Sequence, residues 1–108
     1  MKTSLPSPIT SYFQAANAHD TSALLAAFTA DAVVTDEGHD YHGPAIRAWS
    51  EKVNAAYQPK AEVLDATAIP DGMLVTSRVS GTFPGSPAEL HFRFTLADNR
   101  IAALRIEA

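Results

Sequence analysis

The sequence predicts an α+β domain in which three N-terminal helices pack on a curved, mainly antiparallel sheet to make a cone-shaped fold. Two observations carry that prediction. Up to Pro59 the apolar residues recur at spacings of three and four, interrupted by one short extended stretch; beyond it they alternate with polar residues between turn signals. Helices first and long strands afterwards is the order of an α+β domain, not of the repeating strand-helix units that build a parallel sheet. The composition agrees, since 46% hydrophobic and 19% charged residues are ordinary for a globular chain. At 108 residues the chain suits one domain, residues 1–108, whose folding hides roughly two-thirds of the unfolded surface.

Each element has a local cause. Pro6-Ser7-Pro8 opens a helix, because a proline in the first turn gives up no helical hydrogen bond, and Ile9, Phe13 and Ala16 then share a face with Tyr12 beside it. His19-Asp20-Thr21 breaks that helix near Ala18, and Asp20 or Thr21 is expected to cap a short second helix carrying Leu24, Leu25 and Phe28. From Ala32 to His42 the β-branched pair Val33-Val34 and the turn former Gly38 predict a hairpin with Glu37-Gly38 at its tip. Gly43-Pro44 opens a third helix with Ile46, Trp49, Val53 and Ala56 or Tyr57 on one face, and Gln58-Pro59 ends it. Four antiparallel strands follow, turning at Pro70-Asp71-Gly72, Pro84-Gly85-Ser86-Pro87 and Asp98-Asn99. Within them Leu90, Phe92, Phe94 and Leu96 alternate with His91, Arg93 and Thr95, so one face is core and the other is wet or covered by a partner.

Missing residue types exclude several functions. A formal charge of −4, with 8 basic residues scattered singly, provides no basic stripe for a phosphate backbone, so nucleic acid is not an expected partner. Without cysteine there is no disulfide, thiol nucleophile or thiolate metal site. His39 and His42 point to opposite faces of an extended segment and His19 and His91 lie elsewhere, so no metal is expected. No glycine-rich phosphate loop follows a strand and no Ser-His-Asp order stands out, so no cofactor is expected. MKTSLPSPIT has one lysine but no apolar run behind it; neither a signal peptide nor a membrane span is expected, and the location is expected to be cytoplasmic.

The chemistry concentrates at Asp36, a carboxylate closing an apolar strand beside a turn. If Glu37-Gly38 is the hairpin tip, Asp36 and His39 are cross-strand neighbours, with Val34 and Tyr41 further along the same face. Burial among Val34, Trp49 and Phe28 would raise the carboxyl pKa, whereas a protonated His39 would lower it, and the sign stays open. Either way Asp36 can act as a base, with His39 or Tyr12 as proton donor to a ligand oxygen. The plainer readings are a solvated hairpin carboxylate for Asp36 and core packing for Tyr12, Trp49 and Phe28.

The order of elements and several segments resemble the nuclear-transport-factor-2-like superfamily, and within it the ketosteroid-isomerase-like and SnoaL-like polyketide-cyclase families. The resemblance runs from about Ile9 to Glu107 and rests on FTADAVVTDEG with its Asp36, on the glycine of YHGPAIRAW, and on the closing RIAALRIEA. It implies a conical pocket. It also places Asp36 where ketosteroid isomerases carry the aspartate that takes a proton next to a carbonyl, and Tyr12 where they carry the phenol that hydrogen-bonds the developing enolate. Phe92 stands where that family has a protonated carboxylic acid. Loss of one such donor costs about a hundred- to a thousand-fold in rate, which suits an easier reaction than steroid isomerisation. A homodimer through the outer sheet face is a further implication.

The expected function is therefore binding of a small hydrophobic ligand, with cofactor-free isomerase or cyclase chemistry at Asp36, Tyr12 and His39. The walls of an apolar pocket of about 300–1,000 Å³ are expected to be Phe13, Phe28, Val34, Tyr41, Trp49, Val53, Phe92 and Phe94. The competing class is a non-catalytic ligand-binding or dimeric association module of the same fold.

Overall fold

The structure, a computed structural model, describes residues 5–108. Its helices are α1 (Ser7–Ala18), α2 (Thr21–Ala26) and α3 (Ala45–Tyr57); its strands are β1 (Phe28–Asp36), β2 (His39–His42), β3 (Lys60–Ile69), β4 (Gly72–Ser80), β5 (Ala88–Ala97) and β6 (Arg100–Glu107). The helices pack on one six-stranded, curved sheet of order β2-β1-β6-β5-β4-β3, the α+β architecture that the sequence predicts.

Local chemistry sets the element ends. Pro6 and Pro8 sit at the start of α1, which stops at His19 in the left-handed region at φ 56°. Asp20 caps α2 by accepting the Ala23 N–H at 3.1 Å, satisfying one of the donors that a helix start leaves unpaired. Phe28 corrects the sequence reading: it is the first residue of β1, not the last apolar residue of α2. The cause is non-local. The Ala27 carbonyl is taken by the Ile101 N–H at 2.8 Å, and Phe28 pairs with Ile101, so the last strand captures the chain before a further helical turn forms. The β1–β2 turn has Glu37 at φ 52° and Gly38 at φ 77°, the two positive values that a tight hairpin requires. It pairs Asp36 with His39 and Val34 with Tyr41, the predicted register.

Every neighbouring strand pair is antiparallel except β1 and β6, which run parallel with Val34 beside Leu104 and Asp36 beside Ile106. Register shifts interrupt β1–β6 between Phe28 and Val33, β3–β4 between Val63 and Asp65, and β5–β6 between Thr95 and Leu96. Such bulges bend and twist strands, and three in one sheet give it its curvature. Leu64 is the residue left over at the β3 bulge, and it is exposed. The core lies between sheet and helices: Ile9, Tyr12 and Phe13 from α1, Ile46 and Trp49 from α3, and Val34, Val75, Phe92, Phe94, Ile101 and Leu104 from the sheet. The other face is polar, with Arg78, Arg93, Thr95 and Arg105 exposed. Among the described residues no helix is long and apolar enough to cross a membrane.

Gly72 opens β4 directly against β5, and a Cβ there would run into the Phe94 carbonyl. Gly72→Ala should therefore force the two backbones apart and lower stability by about 1–3 kcal/mol, the usual range for overpacking. Urea unfolding checks this; an unchanged midpoint would show that the strands separate freely at this end.

Candidate active site

Strand alternation aims Asp36 inward. Ala32 and Val34, the residues four and two before it, are fully buried, and Asp36 continues that face at the end of β1, where it is half-buried. Ile106 lies beside it on β6 and the rim is Glu37 and Gly38. Above it, Trp49 projects from α3 and donates its indole Nε1–H to Asp36 Oδ2 at 3.0 Å. Tyr41 is tilted against that indole, with ring centroids 6.2 Å apart. Trp49 thus joins the site as a donor as well as a wall, a role the sequence reading missed. The signal was present: a buried indole N–H needs an acceptor, and Asp36 is the carboxylate nearest the core.

The open question about the Asp36 pKa resolves upward. Burial pushes the carboxyl above its ordinary value; the Trp49 indole hydrogen bond opposes that, the Glu37 charge adds to it, and the Glu37 backbone N–H opposes it. Glu37, not His39, is the neighbouring charge that acts on Asp36. His39 is exposed on β2, paired with Asp36 through the backbone ladder at the sheet margin. Tyr12 is buried, and its phenol pKa is pushed up by burial first and by the Asp36 charge second. It therefore stays protonated through the range in which Asp36 titrates.

Four of the expected ligand walls form a packed aromatic core around Tyr12. Its ring meets Phe13 at 5.1 Å, Phe94 at 5.4 Å and Phe28 at 6.0 Å edge-to-face; Phe13 meets Phe92 at 5.3 Å, and Phe92 stacks with Phe94 at 6.3 Å. Val34 is buried with them in the core; Tyr41 and Ile106 are half-buried nearer Asp36, and Val53 is half-buried on α3, one turn beyond Trp49. Two depressions, of about 790 and 500 Å³, lie elsewhere on the surface. One is lined by His19, Asp20, Arg47 and Glu51 among others, the second by Ser7, Gln14, Asn99 and Arg100 among others. Among the described residues no group of three or more His, Asp or Glu lies close enough to hold a metal ion.

Two buried polar residues stand out among the apolar ones. Ser50 on α3 shares a hydrogen bond of 2.8 Å with Thr21. Ser77 on β4, in line with Met73, Val75 and Val79, is fully buried and its Oγ has no partner among the described residues. A buried hydroxyl left unpaired costs about 1–3 kcal/mol. Ser77 was missed in the sequence, although it is the one polar residue in an otherwise apolar inward series.

The chain belongs to the SnoaL-like domain family, which matches residues 9–104. Similar solved structures agree. A protein from Sinorhizobium meliloti, described as a candidate polyketide cyclase, is 44% identical over 95% of both chains with a TM-score of 0.92. A protein with a ketosteroid isomerase-like fold from Catenulispora acidiphila, in complex with trimethylamine, is 18% identical over 97% of this chain and 87% of its own, with a TM-score of 0.85. SalBIII, an epoxide hydrolase/cyclase-like enzyme of pyran ring formation in the polyether salinomycin, is 21% identical over 93% and 86%, with a TM-score of 0.73. No curated protein matches the sequence. The chain thus shares its family's fold with a candidate polyketide cyclase and with proteins of ketosteroid isomerase-like fold.

The raised Asp36 pKa has a stability consequence. Folded Asp36 holds its proton to higher pH than the unfolded chain does, so the folded state binds more protons and stability falls as pH rises above 3.8, the ordinary value. In Asp36→Asn the amide oxygen can still accept from Trp49 while the charge is gone. The variant should melt above wild type at neutral pH, with the gap closing as pH falls below 3.8. Calorimetry across that range checks the sign; a variant melting below wild type at neutral pH would mean that the carboxylate is net stabilising.

Proposed function

We propose that the Asp36 site is an acid-base centre for a small, largely apolar carbonyl compound. Asp36 takes the proton from the carbon next to the carbonyl, the C–H electron pair moves into an enolate, and Tyr12 donates a hydrogen bond to the carbonyl oxygen as charge builds there. In a β,γ-unsaturated ketone the enolate is a dienolate, and return of the proton from Asp36 to its γ carbon shifts the double bond and gives isomerisation; in a molecule with a second carbonyl, attack of the enolate carbon on that carbonyl carbon closes a ring, its π pair moving to the oxygen, which takes the proton back from Asp36. Neither route calls for a cofactor.

The observation that carries this reading is the half-buried Asp36 carboxylate, raised in pKa and oriented by the Trp49 indole at 3.0 Å. Raising the pKa of a base narrows the gap to a carbon acid, and fixing its oxygen shortens the search for a productive geometry. The likeness to the candidate polyketide cyclase, at 44% identity, supports the reaction class. The ligand is taken to enter where Tyr41 and Ile106 are half-buried beside Trp49 and Asp36, against the packed side chains of Phe13, Phe28, Val34, Phe92 and Phe94 beneath, with Val53 one helical turn beyond Trp49 on α3. His39, exposed across the ladder from Asp36, is placed to pass protons between the site and solvent. The substrate would be met in the cytoplasm.

A second reading, a binding or association module, draws on the close aromatic packing about Tyr12. We also read the outer face of β3–β6 as a homodimer surface, because no helix of the described residues covers it and Leu74 is half-buried there between Thr76 and Gly72. Sedimentation at micromolar concentration should show a dimer; a monomer ends that part of the reading.

Exchange of the methyl protons of 2-acetylnaphthalene in D₂O, followed by NMR, tests the acid-base centre. Wild type should accelerate exchange, with a rate that rises as pH rises through the elevated Asp36 pKa. Asp36→Asn should lose about a hundred-fold or more, as expected when a positioned base is removed. Trp49→Phe should move the acid limb to higher pH, because it removes the hydrogen bond that holds the Asp36 pKa down. Equal rates for wild type and Asp36→Asn would overturn the proposal.

A further inference from the structure

We infer that Ser77 supplies the second polar contact of the ligand, which is therefore an elongated apolar carbonyl compound bearing an oxygen function at the end remote from its carbonyl. This rests on the acid-base reading of Asp36 and extends it to what the substrate must look like.

The sheet register gives the span. Asp36 lies beside Ile106, Ile106 faces Phe92, and Phe92 faces Val75, so one row of inward positions crosses four strands from β1 to β4. Ser77 is the next inward position along β4, flanked across the ladders by Leu90 on β5 and Val63 on β3. Three strand spacings and one two-residue step amount to roughly 15 Å on a flat sheet, and curvature brings inward side chains closer than that. A molecule of two or three fused rings, or an extended chain of that length, reaches from one group to the other.

Ser77 differs from the other buried serine in a way that separates a ligand role from a packing role. Ser50 closes a hydrogen bond to Thr21 at 2.8 Å and so fastens α2 to α3. Among the described residues Ser77 fastens nothing: its Oγ is fully covered and unpartnered there, and an alanine would fill the position without leaving a hydroxyl dry. The two side chains beside it, Leu90 and Val63, are half-buried, so the shortest way from solvent to the hydroxyl passes them. Ser77 can then donate to a ligand carbonyl or ether oxygen, or accept from a ligand hydroxyl.

A matched pair of probes tests this: 2-acetylnaphthalene and 6-hydroxy-2-acetylnaphthalene, titrated against wild type, Ser77→Ala and Asp36→Asn by fluorescence. Wild type should bind the hydroxylated ketone about fivefold or more tightly, the worth of one neutral hydrogen bond. Ser77→Ala should lose that preference, bind the plain ketone as wild type does, and melt no lower than wild type. Asp36→Asn should keep the preference while losing proton exchange. A preference that survives in Ser77→Ala, or is absent from wild type, overturns the inference; so does a Ser77→Ala variant that melts lower, since its hydroxyl would then have a structural partner. Failure of wild type to bind either ketone overturns it as well, because the inferred ligand length would be wrong. If instead Ser77→Ala loses the preference while Asp36→Asn exchanges normally, Ser77 stands and the acid-base reading falls.

Discussion

Joining the chain's first strand to its last in parallel register, with Val34 beside Leu104 and Asp36 beside Ile106, decides where the rest of the site can lie. Parallel neighbours cannot be linked by a tight turn, so everything between them has to travel round. Here α3 carries the chain from the β2 edge to the β3 edge, and three antiparallel turns bring it back. Two consequences follow for Asp36. Its strand is flanked on both sides, by β2 and β6, so the carboxylate has walls and not an open sheet edge. And α3, crossing over that half of the sheet, brings Trp49 down onto it. The entropy of closing so long a loop is offset by the apolar residues buried along the seam, Ala32, Val34, Ile101 and Leu104, all within 1% of full burial.

The electrostatics of the site is a contest between burial and hydrogen bonding. Burial alone would favour a neutral Asp36 that neither attracts a proton nor holds a fixed place. The Trp49 indole and the Glu37 N–H return part of the stabilisation of the charged form, and the net shift is upward. Tyr12 moves in the same direction for a related reason, since the Asp36 charge adds to its own burial. The outcome is a division of labour. The phenol stays protonated throughout the range in which the carboxyl titrates, because both groups shift upward from ordinary values that are already far apart.

What was legible in the sequence was local. Proline placement fixed the start of α1, Asp20 its successor's cap, and Glu37-Gly38 the hairpin register, because each of these depends on a few adjacent residues. Phe28 misled because its helical spacing from Leu24 and Leu25 was real but weaker than capture of Ala27 and Phe28 by Ile101, seventy-odd residues away. The direction of the Asp36 shift was undecidable for the same kind of reason: it turned on whether burial or a protonated His39 would dominate, and the extent of burial is set by how α3 and its Trp49 pack over the strand end. The family resemblance supplied Asp36 and Tyr12 as a pair, and the structure adds that the charge of one acts on the other.

The aromatic core explains how so small a domain tolerates these polar groups. Tyr12, Phe13, Phe28, Phe92 and Phe94 pack against one another, and edge-to-face contacts of this kind contribute about 0.5–1.5 kcal/mol each beyond their buried area. A domain of this size has only about 5–15 kcal/mol of net stability, so a half-buried carboxylate and a dry hydroxyl are a substantial charge against it. An association module has no use for either: its contacts lie on the outer face, and asparagine at 36 and alanine at 77 would leave that face untouched while relieving the interior. A ligand site needs both, one to move the proton and one to tell which end of the molecule is which. Their presence on the inner face, one at the β1 end of an apolar row and the other one step along β4 from its far end, is the physical reason to favour a small-molecule function over association.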